Sequence, residues 1–463
     1  MILIIALLLT TPLLAQPSKL SDIVASMSHQ ASVGVMVLDT LSGTTLYQNN
    51  PELYLMPAST QKLLTAVAAK KQLDHNAPFH TDIWLYGKVT DHIYHGDIVI
   101  KGTGDPGLTS EKLQQLIGRI SHHQIHQVKG NIIILDNHFD SRTHIPGTLW
   151  EEQNDCYCSQ ASALSLDNNC YHINLLPKDQ HIQVVNQRNN SLRSTIKRSS
   201  NCDDSNTPSI HHTLYGKGVI VDHQPFNTIH TLTGCWSKAN HTPQRLALST
   251  EHPAKYFQQQ THSILKALNI SAPFPKLARH YQPKYPLLTH FKHNSAGLDD
   301  TLNTMLIKSS NFIANQLAKR MGALHYGEPA TWEQSEQVLL QTLAPYKVDN
   351  ETSFADGSGL SRNNRLQVQQ LAYALQDIYH QPKLRSLLDG LNCVSVETKS
   401  NSSIPVCYKS GYIRGVIGRA GFISPRGKRP KTIVILANGN KSIDKLFEQH
   451  EQNIYQAIIA DRY

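Results

Sequence analysis

Near the N-terminus, residues 33–39 (VGVMVLD) carry Val at every second position, a pattern that predicts a β-strand. A turn rich in Ser, Gly and Thr at residues 41–44 leads into a second β-like run at residues 45–47, so we expect a hairpin. Residues 63–69 are a run of strong helix formers. The chain is therefore predicted to open with a hairpin that is followed by a helix.

The middle of the chain has a different pattern. From about residue 70 to 284 short β-like runs recur, for example at residues 82–86, 97–100 and 131–135. Between about residues 177 and 250, stretches rich in Asn, His and Ser separate weaker strand patterns. We expect a β-rich region here that differs from both ends of the chain.

Helical periodicity returns after Leu298, and residues 432–437 have the composition of a buried strand. Residues 443–459 carry apolar positions at helical spacing, for which core packing is favoured over membrane binding. Strand and helix patterns at both ends, with a foreign segment between them, predict one α/β (α+β) domain that is split by an insertion. A chain of 463 residues exceeds the usual size of a single core, which agrees with two or three domains.

The first fifteen residues resemble a targeting segment. Residues 2–9 are apolar, Pro12 interrupts the run, and Ala15 offers a small residue for cleavage, so we expect a Sec-type signal peptide at residues 1–15 and a periplasmic protein. The segment has no Lys or Arg before its apolar core, which leaves an uncleaved anchor as the alternative. No later segment reaches the roughly 18 apolar residues that a membrane span needs.

Charge and histidine content exclude some functions. The net charge of +8 is spread along the chain without a basic helix or an RNA-binding motif, so a nucleic-acid partner is not expected. A basic exported protein would instead be attracted to an anionic cell wall. The 25 histidines lie outside any HExxH or carboxylate-rich frame, and no metal site is predicted.

Seven cysteines in an exported chain favour disulfides over metal ligands. Proximity in the sequence suggests the pairs Cys202–Cys235 and Cys393–Cys407. Cys156 and Cys158 are too close together for a zinc-binding C-x-x-C motif. The sequence proves none of these pairings.

Three short motifs carry the chemistry, and they occur in a fixed order. They are Ser59-Thr60-Gln61-Lys62, Ser309-Ser310-Asn311 and Lys409-Ser410-Gly411, which read S-x-x-K, S-x-N and K-[ST]-G. Together these are the parts of an acyl-transfer site that is built on a serine nucleophile. Each alone is weak, because residues 194–197 and 263–266 also fit S-x-x-K.

Local context selects Ser59 among these serines. It stands at the predicted start of a helix, where backbone N–H groups lack partners and the dipole favours developing negative charge. Lys62 then lies one turn further on the same face. The alternatives are structural: Ser59 and Ser309 as helix caps, and Lys409 as protection of an edge strand. Gly411 would let the backbone of a ligand come close to that strand.

The sequence resembles penicillin-binding serine D-alanyl-D-alanine carboxypeptidase/endopeptidases of the DacB type, the low-molecular-mass class C group. Residues 101–108 (KGTGDPGL) resemble the family's GGGDP-type segment, and residues 356–362 (DGSGLSR) match its DGSGLSR loop. Residues 150–156 and 162–170 resemble its W-x-D…C…SAL…NC region. The similarity covers nearly the whole mature chain.

The resemblance implies a serine β-lactamase/transpeptidase-like catalytic domain made of residues 16–69 and 285–463. It is interrupted by an inserted region, residues 70–284, of two subdomains. Substrates would be the D-Ala-D-Ala ends of peptidoglycan stem peptides and cross-links, with β-lactams as covalent inhibitors. No cofactor would be required, and oligomeric state is not specified.

The resemblance and the chemistry together assign roles. Ser59 is the expected nucleophile, Lys62 its general base, and Ser309 a relay that protonates the leaving amine. A lysine serves as base only when neutral, and burial and the like charge of Lys409 would both lower the pKa of Lys62. The residues expected to bind substrate are Asn311 at the amide, Lys409 and Ser410 at the terminal carboxylate, and Gly411, Tyr412 and Arg362. Backbone N–H groups of Ser59 and Tyr412 would form the oxyanion hole.

Two departures from the family pattern bear on specificity. The third motif has Ser410 where Thr is common, which keeps the hydroxyl, and Glu152 replaces the aspartate two residues after the tryptophan. With Tyr157 as an aromatic neighbour, Glu152 would meet the third residue of the stem peptide and pair with a diaminopimelate ammonium. The alternative is a surface glutamate. The family pattern also aligns Cys156 and Cys170 with its cysteines, which leaves Cys158 as the odd thiol.

Two other functions remain open from the sequence. One is a β-lactamase or esterase of the same fold, which would need a deacylating base, and no E-x-x-x-N element is placed to supply it. The other is a non-enzymatic penicillin-binding wall protein, which would be expected to have lost a catalytic residue. Labelling with a fluorescent penicillin separates the three possibilities by a stable adduct, a rapidly released adduct, or none.

Overall fold

A computed structural model describes residues 19–178, 181–186, 192–199, 220–222, 230–237, 241–397, 403–425 and 427–463. Its helices are α1 (Leu20–Ser28), α2 (Lys62–Gln72), α3 (Ser110–Gly118), α4 (Pro253–Ala267), α5 (Leu298–Ile307), α6 (Asn311–Tyr326), α7 (Trp332–Leu343), α8 (Val368–His380) and α9 (Ile443–Ile459).

The first strands in chain order are β1 (Ala31–Asp39), β2 (Thr45–Asn49), β3 (His80–Thr90), β4 (Ile93–Gly102), β5 (Gln127–Lys129), β6 (Ile132–Leu135), β7 (Cys170–Pro177), β8 (Ile182–Asn186) and β9 (Leu192–Ser199). The remaining strands are β10 (Ile220–Asp222), β11 (His230–Ser237), β12 (Gln244–Ser249), β13 (Lys276–Ala278), β14 (Leu287–Asn294), β15 (Asn392–Glu397), β16 (Ser403–Ile413), β17 (Val416–Ile423) and β18 (Lys431–Gly439).

A six-stranded antiparallel sheet joins both ends of the chain, in the order β15-β16-β17-β18-β1-β2. In β1, Val35 and Val37 face a core that contains α1 and α9, while Met36 and Leu38 face a core that contains α2, α5, α6, α7 and α8. Alternate side chains of a strand point to opposite faces, so both sets are buried. Because helices cover both faces, the predicted strands in this sheet are apolar almost throughout.

A second six-stranded sheet, of order β13-β6-β4-β3-β14 with β5 paired to β4, packs on α3 and α4 through its own apolar core. Two three-stranded sheets, β12-β7-β8 and β10-β11-β9, complete the described strands. The β-like runs predicted at residues 82–86, 97–100 and 131–135 lie in β3, β4 and β6 and are confirmed.

The pairing of β14 bears on the predicted domain boundary at residue 285. The sequence division placed residues from 285 onward in the catalytic part, but β14 pairs with β3, with Phe291 opposite Ile83, and so belongs to the second sheet. Most β14 side chains are exposed or half-buried, because β14 is an edge strand. Its weak hydrophobic pattern therefore gave no signal of this pairing.

The predicted terminal elements are confirmed. β1 and β2 form the expected hairpin, β18 is the buried strand near the end, and α9 packs in the core. The helix expected at Ser59 begins as a 3₁₀ turn, Ala58–Gln61, and becomes α-helical at Lys62. In the described part of the chain, no helix is both long and apolar enough to cross a bilayer.

Disulfides join Cys393 to Cys407 and Cys156 to Cys170, and Cys158 is a buried free thiol. These pairs confirm one expectation from sequence proximity and two from the family resemblance. The predicted Cys202–Cys235 pair lies outside the described side chains.

Candidate active site

Ser59 lies in the 3₁₀ turn that leads into α2, close to β16 of the six-stranded sheet. The turn begins at Ala58, whose φ of +48° is left-handed and costly for a residue with a side chain. A Cβ added to Gly411 of β16 would lie 2.8 Å from Pro57 O and 3.1 Å from Ser59 N. Only glycine therefore lets this strand come so close to the backbone of the serine.

Lys62 is fully buried beside Ser59. Its Nζ lies 2.8 Å from Ser59 Oγ, 2.6 Å from Asn311 Oδ1 and 2.8 Å from the carbonyl oxygen of Ser358. The helical spacing of three residues accounts for the first contact, whereas the other two join α6 and a distant loop to this amine. The structure thus brings the first two sequence motifs together.

Burial lowers the pKa of Lys62 well below its ordinary value, and the positive charge of Lys409 lowers it further. The carboxylate of Asp356 acts in the opposite direction. The predicted direction of this pKa shift, and both of its predicted causes, are confirmed. A lysine with a lowered pKa is neutral more of the time and can accept a proton.

Ser309 and Lys409 bring the second and third motifs together. Lys409 is 1% exposed, and its Nζ donates to Ser309 Oγ at 3.0 Å and to Ser410 O at 3.0 Å. Ser309 has a φ of +50° in the short link between α5 and α6. Burial, followed by the charge of Arg419, lowers the pKa of Lys409 to about 8, so this side chain is mainly a cation at neutral pH.

The strand that carries the third motif has an open edge. β15 pairs with β16 only as far as Tyr408, so within the described part of the chain residues 409–413 pair with no strand on that side. Tyr412 lies on this stretch with 60% of its surface exposed. An extended peptide can add to such an edge through main-chain hydrogen bonds.

Glu152, Tyr157 and Arg362 lie near one another at the side of the site. Asn311 Nδ2 donates to the carbonyl oxygen of Tyr157 at 2.9 Å, which ties the segment to the second motif. Burial raises the pKa of Glu152, and the charge of Arg362 opposes that shift. Arg362 Nη1 donates to Arg414 O at 3.2 Å. Among the described residues, the cation that faces Glu152 is therefore Arg362.

The sequence assigns no role to two residues that act on Lys62. Ser358 contacts it through a carbonyl oxygen, which every residue type has. Asp356 raises its pKa through its charge, whereas in the sequence it is only one letter of the DGSGLSR motif. No group of His, Cys, Asp or Glu that could hold a metal occurs among the described residues.

Comparison of the sequence with known proteins gives matches along nearly its whole length. The model of the D-Ala-D-Ala carboxypeptidase 3 (S13) family matches residues 16–458. The D-alanyl-D-alanine carboxypeptidase DacB of Haemophilus influenzae is 25% identical in an alignment 460 residues long, which covers 95% of this chain and 94% of that protein.

Solved structures support the fold. The crystal structure of penicillin binding protein 4 (dacB) from Haemophilus influenzae superposes with a TM-score of 0.82 at 23% identity, over 95% of this chain and 99% of that one. The same protein complexed with a β-lactam gives a TM-score of 0.75 at 22% identity with the same coverage. The α/β fold expected from the sequence is confirmed.

Proposed function

The chain belongs to the D-Ala-D-Ala carboxypeptidase 3 (S13) family, and from that premise we propose how its own residues carry out the reaction. It is a serine D-Ala-D-Ala carboxypeptidase. The observation that carries the mechanism is the line of contacts in which Lys62 meets Ser59 and Asn311 while Lys409 meets Ser309. Both lysines are buried, and the pKa of Lys62 is lowered well below its ordinary value. Lys62 is therefore suited to be the base, and Lys409 to be the cation that binds an anion.

Acylation begins when Ser59 Oγ attacks the carbonyl carbon between the two D-alanines. The Oγ–C bond forms, the hydroxyl proton passes to Lys62 Nζ, and backbone N–H groups of Ser59 and Tyr412 receive the negative oxygen. As the C–N bond breaks, Ser309 gives its hydroxyl proton to the amine of the terminal D-Ala and takes up in return the proton held by Lys62, so that the lysine becomes neutral again. Water later hydrolyses the acyl-enzyme and returns free Ser59.

Substrate binding uses the open edge and the buried cation. The peptide lies along residues 409–413, where Gly411 leaves room for its backbone, and Asn311 holds its amide. Lys409 and the hydroxyl of Ser410 bind the terminal carboxylate, since a carboxylate prefers a desolvated cation with a further donor. The same site accepts the cross-link between two stem peptides, in which the leaving amine belongs to a second peptide; endopeptidase activity needs no additional group.

β-Lactams are proposed as covalent inhibitors, because they present a reactive amide and a carboxylate to the same two groups. The Haemophilus influenzae relative has been solved with a β-lactam, which supports this proposal. The proposed location is the periplasm, where the peptidoglycan substrate is accessible. The predicted signal segment lies outside the described residues.

Release kinetics test the function against its rivals. The protein is labelled with a fluorescent penicillin, the excess is removed, and loss of label is followed alongside D-Ala release from diacetyl-Lys-D-Ala-D-Ala. The proposal expects a long-lived adduct and D-Ala release. Rapid release of hydrolysed penicillin without D-Ala would indicate a β-lactamase, and a protein with neither activity would be a wall-binding protein.

Carboxylate recognition should weaken above about pH 8. Lys409 loses its proton as the pH rises through its lowered pKa of about 8, and the neutral amine attracts a carboxylate far less. KM for a D-Ala-D-Ala peptide is therefore expected to rise between about pH 8 and 9.5, by roughly tenfold. The control is the same peptide with a C-terminal amide, whose KM should stay flat. A rise of equal size for both peptides would mean that Lys409 does not read the carboxylate.

Glu152 is proposed to read the third residue of the stem peptide. Glu152 lies beside Tyr157 and faces Arg362, and burial disfavours its charged form. A substrate ammonium would be a second cation next to this carboxylate and would stabilise its charge. Substrates with meso-diaminopimelate should be preferred, and Glu152→Gln should remove about 1–2 kcal/mol of that preference.

The matched control substrate is diacetyl-Lys-D-Ala-D-Ala, whose capped lysine has no ammonium. Glu151→Gln, at the neighbouring carboxylate, is the matched control variant. Equal losses on both substrates would show that Glu152 supports the structure of the site and does not recognise the peptide.

A further inference from the structure

The loop that follows α7 is organised by one buried carboxylate. Asp356 is 1% exposed, and its Oδ1 accepts from Gly359 N at 3.0 Å and from Asn364 Nδ2 at 2.7 Å. Its Oδ2 accepts from Leu360 N at 3.2 Å and from the hydroxyl of Ser358. Four donors from one short segment thus converge on a single side chain, which fixes the path of the backbone between them.

The same loop is hydrogen-bonded to α2 and α6, the helices that carry Lys62 and Asn311. Thr65 of α2 donates to Gly357 O at 2.6 Å, and Gly357 N donates to Asn315 Oδ1 of α6 at 2.8 Å. Gly359, with a φ of +83°, packs so closely that an added Cβ would lie 1.8 Å from Ala58 O. The loop is therefore held in register with the turn that carries the nucleophile.

This arrangement brings the carbonyl oxygen of Ser358 into hydrogen-bond contact with the amine of Lys62. Ser358 O lies 2.8 Å from Lys62 Nζ, and Asn311 Oδ1 lies 2.6 Å from it. A neutral primary amine has two N–H groups and one lone pair. Neither of these oxygens carries a hydrogen, since the amide of Asn311 is oriented by its Nδ2 donation to Tyr157 O. The two oxygens together accept both N–H groups of the neutral amine. The lone pair is left for the third contact, Ser59, whose hydroxyl can donate its O–H to it.

We propose that Asp356 is a positioning residue for acylation: its carboxylate shapes the loop so that the Ser358 carbonyl holds one N–H of Lys62 and the lone pair of that amine faces Ser59. This inference rests on the proposed function, because it concerns how the base of that reaction is oriented. The Ser59 proton passes along this line to Lys62 as the Oγ–C bond forms, and the resulting ammonium keeps all three contacts as a donor.

Asp356 also acts through its charge. In the described part of the chain, the charged groups that face Lys62 are Lys409 from β16, which lowers its pKa, and Asp356 from the loop, which raises it. With a neutral residue at position 356, only burial and the charge of Lys409 would act on the pKa of Lys62, and both lower it. The pH at which Lys62 becomes neutral would then fall, even though the amine would be less well oriented.

The test is the second-order rate constant for acylation by a fluorescent penicillin, measured from pH 4 to 9 and normalised to the labelled end point. In Asp356→Asn, one amide replaces an acceptor oxygen, and the plateau rate constant is expected to fall at least about tenfold. The acidic midpoint of the profile should move to lower pH. Asp349→Asn is the matched control, since this carboxylate organises a different turn, where it accepts from Tyr54 and Thr352 outside the three motifs; we expect its rate constant to stay within about threefold of the parent.

Because Asp356→Asn is buried and could fail to fold, Asn364→Ala provides a second readout. It removes a donor to Asp356 and keeps the charge, so a slower plateau with no downward shift of the midpoint is expected. Normal rate constants and midpoints in the labelled fraction of the folded variants would overturn the proposal, because a purely structural residue would change only the yield of active protein. Failure of the parent protein to be acylated at all would instead refute the proposed function.

Discussion

Ser59→Ala is expected to lose both penicillin acylation and D-Ala release, by roughly 10³-fold or more, because it removes the atom that forms the acyl bond. The fold should be retained. Ser59 is only partly buried, and its hydroxyl contacts Lys62, which keeps Asn311 Oδ1 and Ser358 O as partners. The measurements are gel fluorescence after penicillin labelling, D-Ala release, and thermal unfolding.

Ser263→Ala is the matched control, since Ser263 also begins an S-x-x-K sequence but is exposed on α4, which packs against the second sheet. It should behave as the parent protein. A stable adduct on Ser59→Ala at the parental rate would place the nucleophile elsewhere and would remove the basis of the mechanism.

Lys409→Ala should have the second largest effect. It removes the cation that binds the terminal carboxylate and the donor to Ser309 Oγ, and we expect the acylation rate constant to fall by about 10²-fold or more. It also removes a positive charge that lowers the pKa of Lys62. That pKa should therefore rise, and the acidic limb of the rate profile, which reports loss of the Lys62 proton, should move to higher pH.

Lys409→Arg keeps the charge while changing the shape of the donor, so it separates the two effects. Its acidic midpoint should stay closer to that of the parent protein than the midpoint of Lys409→Ala does. An Ala variant with the parental rate constant and midpoint would exclude Lys409 from the site. Opposite shifts of the acidic midpoint, upward in Lys409→Ala and downward in Asp356→Asn, are a joint expectation of this electrostatic arrangement.

The parts of the fold that the sequence predicted share a clear local signal. β1 alternates between two buried cores, and α9 has one apolar face, so their types follow from side-chain periodicity alone. The three motifs were found because catalysis demands particular residue types at short spacing. Their assembly, in which Lys409 contacts Ser309 across 100 residues, follows from the tertiary fold and was inferred from the family resemblance.

The parts that the sequence did not predict depend on contacts without a residue-type signal. β14 is an exposed edge strand whose place is set by backbone pairing with β3, so its hydrophobic pattern could not assign it to the second sheet. Ser358 contributes a carbonyl oxygen, and any residue at that position has one. Asp356 is a recognisable turn residue, but its position under the catalytic lysine is decided by tertiary packing.

Locating the penicillin adduct identifies the acylated residue directly, and we expect it to be Ser59, in the 3₁₀ turn that precedes α2. The protein is mixed with benzylpenicillin, quenched in acid and digested with trypsin, and the acylated peptide is identified by mass spectrometry. Residues 20–62 contain no internal Lys or Arg, so the peptide that ends at Lys62 carries Ser59. We expect the penicilloyl mass on Ser59 of this peptide and its absence in Ser59→Ala; a penicilloyl group on Ser309, Ser263 or any other residue would contradict the proposed mechanism.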